Sequence, residues 1–212
     1  MIVDGDLEIY DAEECPQGSD VWKALRRGWP SASRLASVMA GGEGLTRSKY
    51  MRQLAGEQVT GLDREEDFVG SAMERGWAME PELRDLYAFL SNEKPEVIGF
   101  ARRKLKVGYV GASPDALVGA RKTVEFKSAK PEVLIEILRR GAVPPEHMPQ
   151  CQGTMLVLGR AACDLMVGYT GMPALLRTIP RDPSFIARLH VHIETFNEEL
   201  VEMVRWIREY RS

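Results

Sequence analysis

The sequence predicts a mixed α/β fold of the α+β kind, a small central mixed β-sheet flanked by helices. Three observations predict it. The 212 residues are 44% hydrophobic and 28% charged, an ordinary globular composition that excludes a disordered, collagen-like or fibrous chain. The apolar period is helical up to Pro95, strand-like between Val97 and Ser128, and then alternates helix, strands, helix. The length fits one domain at roughly 150 residues per domain, here 1–212 with an N-terminal arm over 1–18.

The arm is acidic and turn-rich and reads as extended chain. Ser19-Asp20 is an N-cap signal for a short helix carrying Val21, Trp22 and Leu25 and ended by Gly28. Pro30-Ser31 opens a second helix with Leu35, Val38 and Met39 on one side, stopped by Gly41-Gly42. Thr46 caps a third, to about Val59. A long helix is predicted from about Glu66 to Leu90, because Met79, Leu83, Leu86 and Leu90 keep a 3.6-residue period. Val97–Val107 and Tyr109–Val118 read as strands, the second broken at Ser113-Pro114-Asp115, and Thr123–Ser128 as a third. Lys130–Arg140 is helical, and Pro145 opens a helix with Met148, Cys151, Met155 and Leu158 on one face. Cys163–Tyr169 and Ala174–Ile179 are two further strands. Asp182-Pro183 then starts a final helix with Leu189, Ile193, Phe196, Leu200, Met203 and Ile207 inward.

The net charge of −3 does not announce a nucleic-acid partner, but 20 of the 28 basic residues are Arg, the side chain suited to forked contacts with phosphate. Cys15, Cys151 and Cys163 are too few and too scattered for a disulfide framework or a four-ligand metal cluster, which suggests a reducing compartment. No apolar run approaches the roughly 20 residues of a membrane span, and the N-terminus has no basic-then-apolar signal. A soluble cytoplasmic chain is expected, with no membrane partner.

The chemistry concentrates between Gly111 and Lys127. Side chains alternate on a strand, so Glu125 and Lys127 share one face, about 6.5 Å apart along the chain, while Phe126 faces the other way. Pairing with the preceding strand brings Asp115 to the same point. Two carboxylates and an ammonium there suit a hard divalent cation and an activated water. A Glu-x-Lys triplet alone is more often a solvated hairpin pair. The upstream Pro114-Asp115 strengthens the chemical reading.

Pro114-Asp115 followed by Glu125-Phe126-Lys127 resembles the Pro-Asp…(Asp/Glu)-x-Lys nuclease superfamily. Further segments are similar to the λ-exonuclease-like, YqaJ-type phage recombinases. They are Trp22…Arg26-Arg27-Gly28-Trp29-Pro30-Ser31-Ala32-Ser33, Gly76…Glu80-Pro81, Gly111-Ala112-Ser113-Pro114-Asp115 and Met148-Pro149-Gln150-Cys151-Gln152. They come in family order over residues 22–152.

The resemblance implies a restriction-endonuclease-like core and a Mg²⁺-dependent 5′→3′ exonuclease of linear double-stranded DNA, with Mn²⁺ the alternative ion. Asp115, Glu125 and the Phe126 carbonyl would hold metal, Glu80 would help as a further carboxylate, and Lys127 would activate water. Arg26, Ser33, Ser113 and Gln152 would line a pocket for the 5′-phosphate of the strand being degraded. A homotrimeric ring and a single-strand-annealing recombination protein are the implied partners. Arg27 could replace Arg26 in the pocket. Gln150 and Gln152 are two apart on a helix, so at most one faces the site. Trp22 reads as core. Trp29 stays open, and Trp77 could stack on bases. His147 reads as helix surface, and His190 and His192 lack an acidic partner pattern. Arg102, Arg103, Lys104 and Lys106 form a basic run that is a solvated face or a track for the DNA backbone. The rival functions are a Mg²⁺-dependent endonuclease or repair nuclease and a catalytically inactive DNA-binding scaffold.

Overall fold

In a computed structural model the chain is described over residues 1–40, 45–63 and 71–211, with backbone alone at 71–75 and 77. Eight strands fall into two four-stranded sheets. The first is antiparallel throughout: β1 (Ile2–Asp4), β2 (Leu7–Asp11), β3 (Ile98–Lys104) and β4 (Tyr109–Ala112). The second is the expected mixed sheet: β5 (Ala116–Val118), β6 (Lys122–Ser128), β7 (Ala162–Gly168) and β8 (Leu175–Pro180). Its β6 and β7 run parallel, with Glu125 opposite Leu165 and Lys127 opposite Val167. The crossover between them carries α5 (Pro131–Arg140) and α6 (Met148–Leu158), as a parallel pair requires.

The division into two sheets has a local cause. Pro114 has no N–H to donate to a ladder. The chain therefore leaves β4 after Ala112 and resumes pairing at Asp115, whose N–H reaches the Val124 carbonyl at 3.2 Å. The Ser113 hydroxyl ties the break to the Gly99 carbonyl at 2.8 Å. The N-terminal arm is a hairpin rather than a loose extension. Asp4 pairs with Leu7 around Gly5, whose φ of +57° is natural for glycine, and β2 adds to β3.

The remaining helices are α1 (Asp20–Arg26), α2 (Leu35–Met39), α3 (Leu45–Thr60), α4 (Ser71–Ser91) and α7 (Pro183–Glu209). Ser19 caps α1 and Asp182 caps α7, each accepting from a backbone N–H two or three residues on. A 3₁₀ turn (Ala32–Arg34) precedes α2, and another (Pro145–His147) precedes α6. The predicted Gly41-Gly42 stop and the predicted start at Glu66 lie outside the described residues.

Two apolar clusters hold these layers. The larger joins α2, α3, α6 and α7 to β4 and β7, through Leu35, Leu54, Met155, Leu165, Phe196 and Leu200 among others. The smaller lies between α4 and the second sheet: Met79, Leu83, Tyr87, Val124, Phe126 and Met166. Tyr87 takes the stripe position expected of Leu90, which is 51% exposed. Its hydroxyl donates to Asp164 at 2.6 Å, a carboxylate that also receives Lys122 at 2.9 Å. Helix α6 is buried all round from Cys151 to Leu158, not on one face alone. Alternation on β6 thus has a clear consequence. Val124 and Phe126 pack toward α4, and Glu125 between them turns to α6.

Candidate active site

A cleft of about 360 Å³ opens where the break between β4 and β5 meets the second half of β6 and the first turns of α6. Arg26, Ser33, Glu80, Ser113, Asp115, Glu125, Phe126 and Lys127 line it. These positions span a hundred residues of sequence and come from α1, the 3₁₀ turn, α4, the strand break and β6.

Each arrives for a local reason. The 3₁₀ segment lies against β4 through a parallel bridge between Ser31 and Gly111, and the Gly111 N–H donates to the Pro30 carbonyl at 2.9 Å. A Cβ at Gly111 would meet the Phe100 ring at 2.3 Å, so glycine here makes room for that ring. Asp115 accepts from the Phe126 N–H at the point where β5 parts from β6. Glu125 is 1% exposed. Its Oε1 accepts from the Thr154 hydroxyl at 3.0 Å, and its Oε2 accepts from the Gln150 amide and from Lys127 Nζ at 3.3 Å.

Burial pushes the Glu125 carboxyl up to about 7, with Lys127 opposing and Asp115 adding to the rise. Asp115 is pushed up by burial too, against the pull of Lys127. Burial works to lower Lys127, but Glu125 and Asp115 outweigh it and hold its ammonium charged. Glu80 is raised by burial and by Asp115, and Arg84 draws it back. The cleft is therefore crowded with carboxylate that a cation would relieve. Asp115, Glu125 and the Phe126 carbonyl offer hard oxygen donors, the kind Mg²⁺ takes while keeping several waters. Among the described residues no three His, Cys, Asp or Glu side chains close into a metal cage.

At the other end of the cleft Arg26 Nη2 donates to Ser33 Oγ at 3.3 Å, and Ser33 Oγ lies 3.4 Å from Ser31 Oγ. The Arg26 guanidinium sits 4.6 Å above the Trp22 ring, and Trp22 Nε1 donates to Ser113 Oγ at 3.2 Å. Arg27 is committed elsewhere, to a two-pronged pair with Asp63 at 2.9 and 3.2 Å.

Several expectations are corrected. Gln152 is fully buried and away from the cleft; its amide donates to the Pro180 carbonyl at 2.9 Å and accepts from the Asp182 N–H at 3.0 Å. Gln150 lines the cleft instead. The reason is helical geometry: Gln150 and Thr154 are four apart and share a face, and Gln152 points to the other side. That spacing was the available signal for Thr154, which the sequence reading missed. Trp22 is half-buried in the cleft rather than core. Trp29 packs edge-on to Tyr109 at 6.1 Å, and the Trp77 side chain lies outside the described residues. His147 is half-buried, and burial followed by the Lys127 charge holds its imidazole below the usual range. His190 does have an acidic neighbour, Glu194 at 3.6 Å. The two arginines of the basic run are tied into the fold, while Lys104 and Lys106 are exposed. Arg102 pairs with Glu8 at 2.8 Å, Arg103 donates to the Val157 carbonyl at 2.8 Å, and Lys106 lies 3.7 Å from Glu198.

The two glutamines give opposite expected results. Gln152→Ala removes two buried backbone partners and lowers stability by about 2 kcal/mol, read by urea denaturation. Gln150→Ala leaves stability within about 1 kcal/mol, because an exposed edge of the cleft can rehydrate. Equal losses would mean that the two amides are equivalent.

Comparison with known proteins gives a family and a set of structural neighbours. The YqaJ-like viral recombinase domain family matches residues 21–171. No curated protein matches the chain. Among solved structures, the alkaline exonuclease LHK-Exo from Laribacter hongkongensis is 29% identical, with a TM-score of 0.81 over 90% of this chain and 96% of that one. The same enzyme in complex with dAMP matches equally well. A phage-related exonuclease from Haemophilus somnus 129PT shares the fold at 14% identity, with a TM-score of 0.59 over 88% of this chain and 98% of that one. No described helix is long and apolar enough to cross a membrane.

Proposed function

Because the chain belongs to the YqaJ-like viral recombinase domain family, we propose that it is a Mg²⁺-dependent 5′→3′ exonuclease of linear double-stranded DNA. It releases 5′-mononucleotides and leaves 3′ single-stranded overhangs. The observation that carries the reading is the joint occupation of one cleft by Asp115, Glu125 and Lys127 at one end and Arg26, Ser33 and Ser113 at the other. The first group suits hydrolysis of a phosphodiester, and the second suits the terminal phosphate of the same strand.

Asp115, Glu125 and the Phe126 carbonyl would hold the divalent ion. When bound, such an ion supplies Lewis-acid stabilisation of the charge that builds at the phosphoryl centre. Thr154 and Gln150 fix the Glu125 carboxylate, so its direction is set before substrate arrives. Lys127, kept protonated by its two carboxylates, orients the attacking water and stabilises developing negative charge. The water oxygen bonds to phosphorus and yields its proton to solvent, the bond from phosphorus to the 3′-oxygen breaks, that oxygen takes up a proton from solvent, and a 5′-mononucleotide leaves. Arg26 and the Ser33 and Ser113 hydroxyls bind the 5′-phosphate and register the chain end, which is what makes the enzyme read an end rather than a sequence.

A homotrimeric ring around the duplex and a single-strand-annealing partner belong to the same proposal, as family expectations. The test is digestion of one plasmid in linear and in closed circular form, with Mg²⁺ and with EDTA. Loss of the linear form alone, and only with Mg²⁺, is expected. Cleavage of the closed circle would favour the endonuclease reading, and no cleavage of either would favour an inactive DNA-binding scaffold.

A further inference from the structure

Glu80 does not stand alone at the cleft. Arg84, one helical turn on, donates from Nη2 to Glu80 Oε1. The two side chains are 26% and 21% exposed, Arg84 and Glu80 respectively. A surface i,i+4 pair keeps both partners wet and contributes little. Here the Arg84 Nε is buried with no hydrogen-bond partner among the described residues, a cost that an arginine free to choose its own contacts would avoid. Its placement therefore serves the carboxylate it grips. Glu80 in turn lines the cleft without closing a three-carboxylate cage with Asp115 and Glu125.

We propose that Arg84 is a positioning residue: it holds Glu80 fixed at the cleft edge, which reserves Glu80 for orienting the attacking water and keeps it from becoming a third metal ligand. The proposal rests on the nuclease reading above, and it makes an unusual demand. Removing Arg84 must slow hydrolysis and yet tighten metal binding, because a positive charge leaves the site and a carboxylate is released toward the ion. A merely structural ion pair would tighten metal binding through charge alone and leave kcat unchanged, so the joint change is the test.

The experiment uses the full chain and Mn²⁺ as the probe, with binding followed by electron paramagnetic resonance and hydrolysis of linear duplex followed separately. In Arg84→Met, kcat falls by roughly 10–100-fold, as for loss of a group that orients a site residue. KM for duplex ends changes by less than about twofold. Mn²⁺ binds roughly tenfold more tightly. Adding Glu80→Gln returns Mn²⁺ affinity to the wild-type value and costs no more than about threefold further in kcat, since Arg84 acts through Glu80. Unchanged or weaker Mn²⁺ binding in Arg84→Met overturns the proposal, and so do fully additive losses in the double variant. If Arg84→Met does not fold, Arg84→Lys decides, because it keeps the charge and loses the forked reach. A lowered kcat with wild-type Mn²⁺ affinity supports the proposal, and wild-type kcat contradicts it. A wild-type protein inert toward DNA would refute the nuclease reading, while the Mn²⁺ comparison would still decide the role of Arg84.

Discussion

Asp115→Ala and Lys127→Ala each reduce hydrolysis of linear duplex DNA by about 10³-fold or more, the scale on which loss of a group that stabilises transition-state charge is felt. The two losses differ in cause. Asp115→Ala removes the oxygen pair proposed to hold metal and the acceptor of the Phe126 N–H. It also relieves the repulsion that raises Glu125, so the remaining carboxylate ionises more easily but has no second donor beside it. Lys127→Ala leaves Glu125, 1% exposed, without its cation. Burial then favours the protonated carboxylic acid, which binds a cation poorly. DNA binding survives in both variants, because Arg26, Ser33 and Ser113 are untouched. Single-turnover rates and fluorescence anisotropy with a labelled duplex separate chemistry from binding. Retention of more than about a tenth of wild-type activity in either variant would remove that residue from the chemical step.

The second large effect is expected at the other end of the cleft. Arg26→Ala slows degradation by on the order of 10–100-fold, equivalent to the roughly 1.5–3 kcal/mol of a hydrogen bond to a charged group. It also removes the advantage of a phosphorylated 5′ end. Arg26→Lys does not restore either property, because the planar guanidinium is held over the Trp22 ring and by its Nη2 contact with Ser33, a geometry an ammonium lacks. Arg27→Ala keeps the preference, since Arg27 is occupied by Asp63. A phosphate preference lost in Arg27→Ala and kept in Arg26→Ala would reverse the assignment.

Much of this was legible before any coordinates. Pro114 and Asp115 marked the break in the strand, and the break is where the chain passes from one sheet to the other. The caps at Ser19 and Asp182 placed two helices because a side-chain oxygen before a helix has one use. What was not legible has physical reasons. Periodicity reports which face of an element is apolar, but not which sheet a strand joins, so one mixed sheet was expected where two adjoin. The turn at Gly5 was hidden in an acidic segment, although glycine after Asp4 is itself a hairpin signal. Trp22 was read as core because a tryptophan beside Val21 and Leu25 usually packs. Its indole N–H found Ser113, 91 residues away, a pairing no local pattern encodes. Gln152 was preferred over Gln150 on motif order, and the helix turned the other amide to Glu125. In the basic run Arg102 and Arg103 lost their independence to Glu8 and the Val157 carbonyl, partners that become neighbours only on folding, while Lys104 and Lys106 stay exposed. The excess of Arg over Lys kept its meaning at Arg26, where an Nη donor and a flat face are both used.

The central claim is that one cleft binds a 5′-phosphate and hydrolyses the strand that carries it. The most direct measurement is digestion of a linear duplex phosphorylated at the 5′ end of one strand only, each strand carrying its own label. The account predicts loss of the phosphorylated strand from its 5′ end, with Mg²⁺ present, and survival of its complement. Equal degradation of both strands, or attack from the 3′ end, would contradict it.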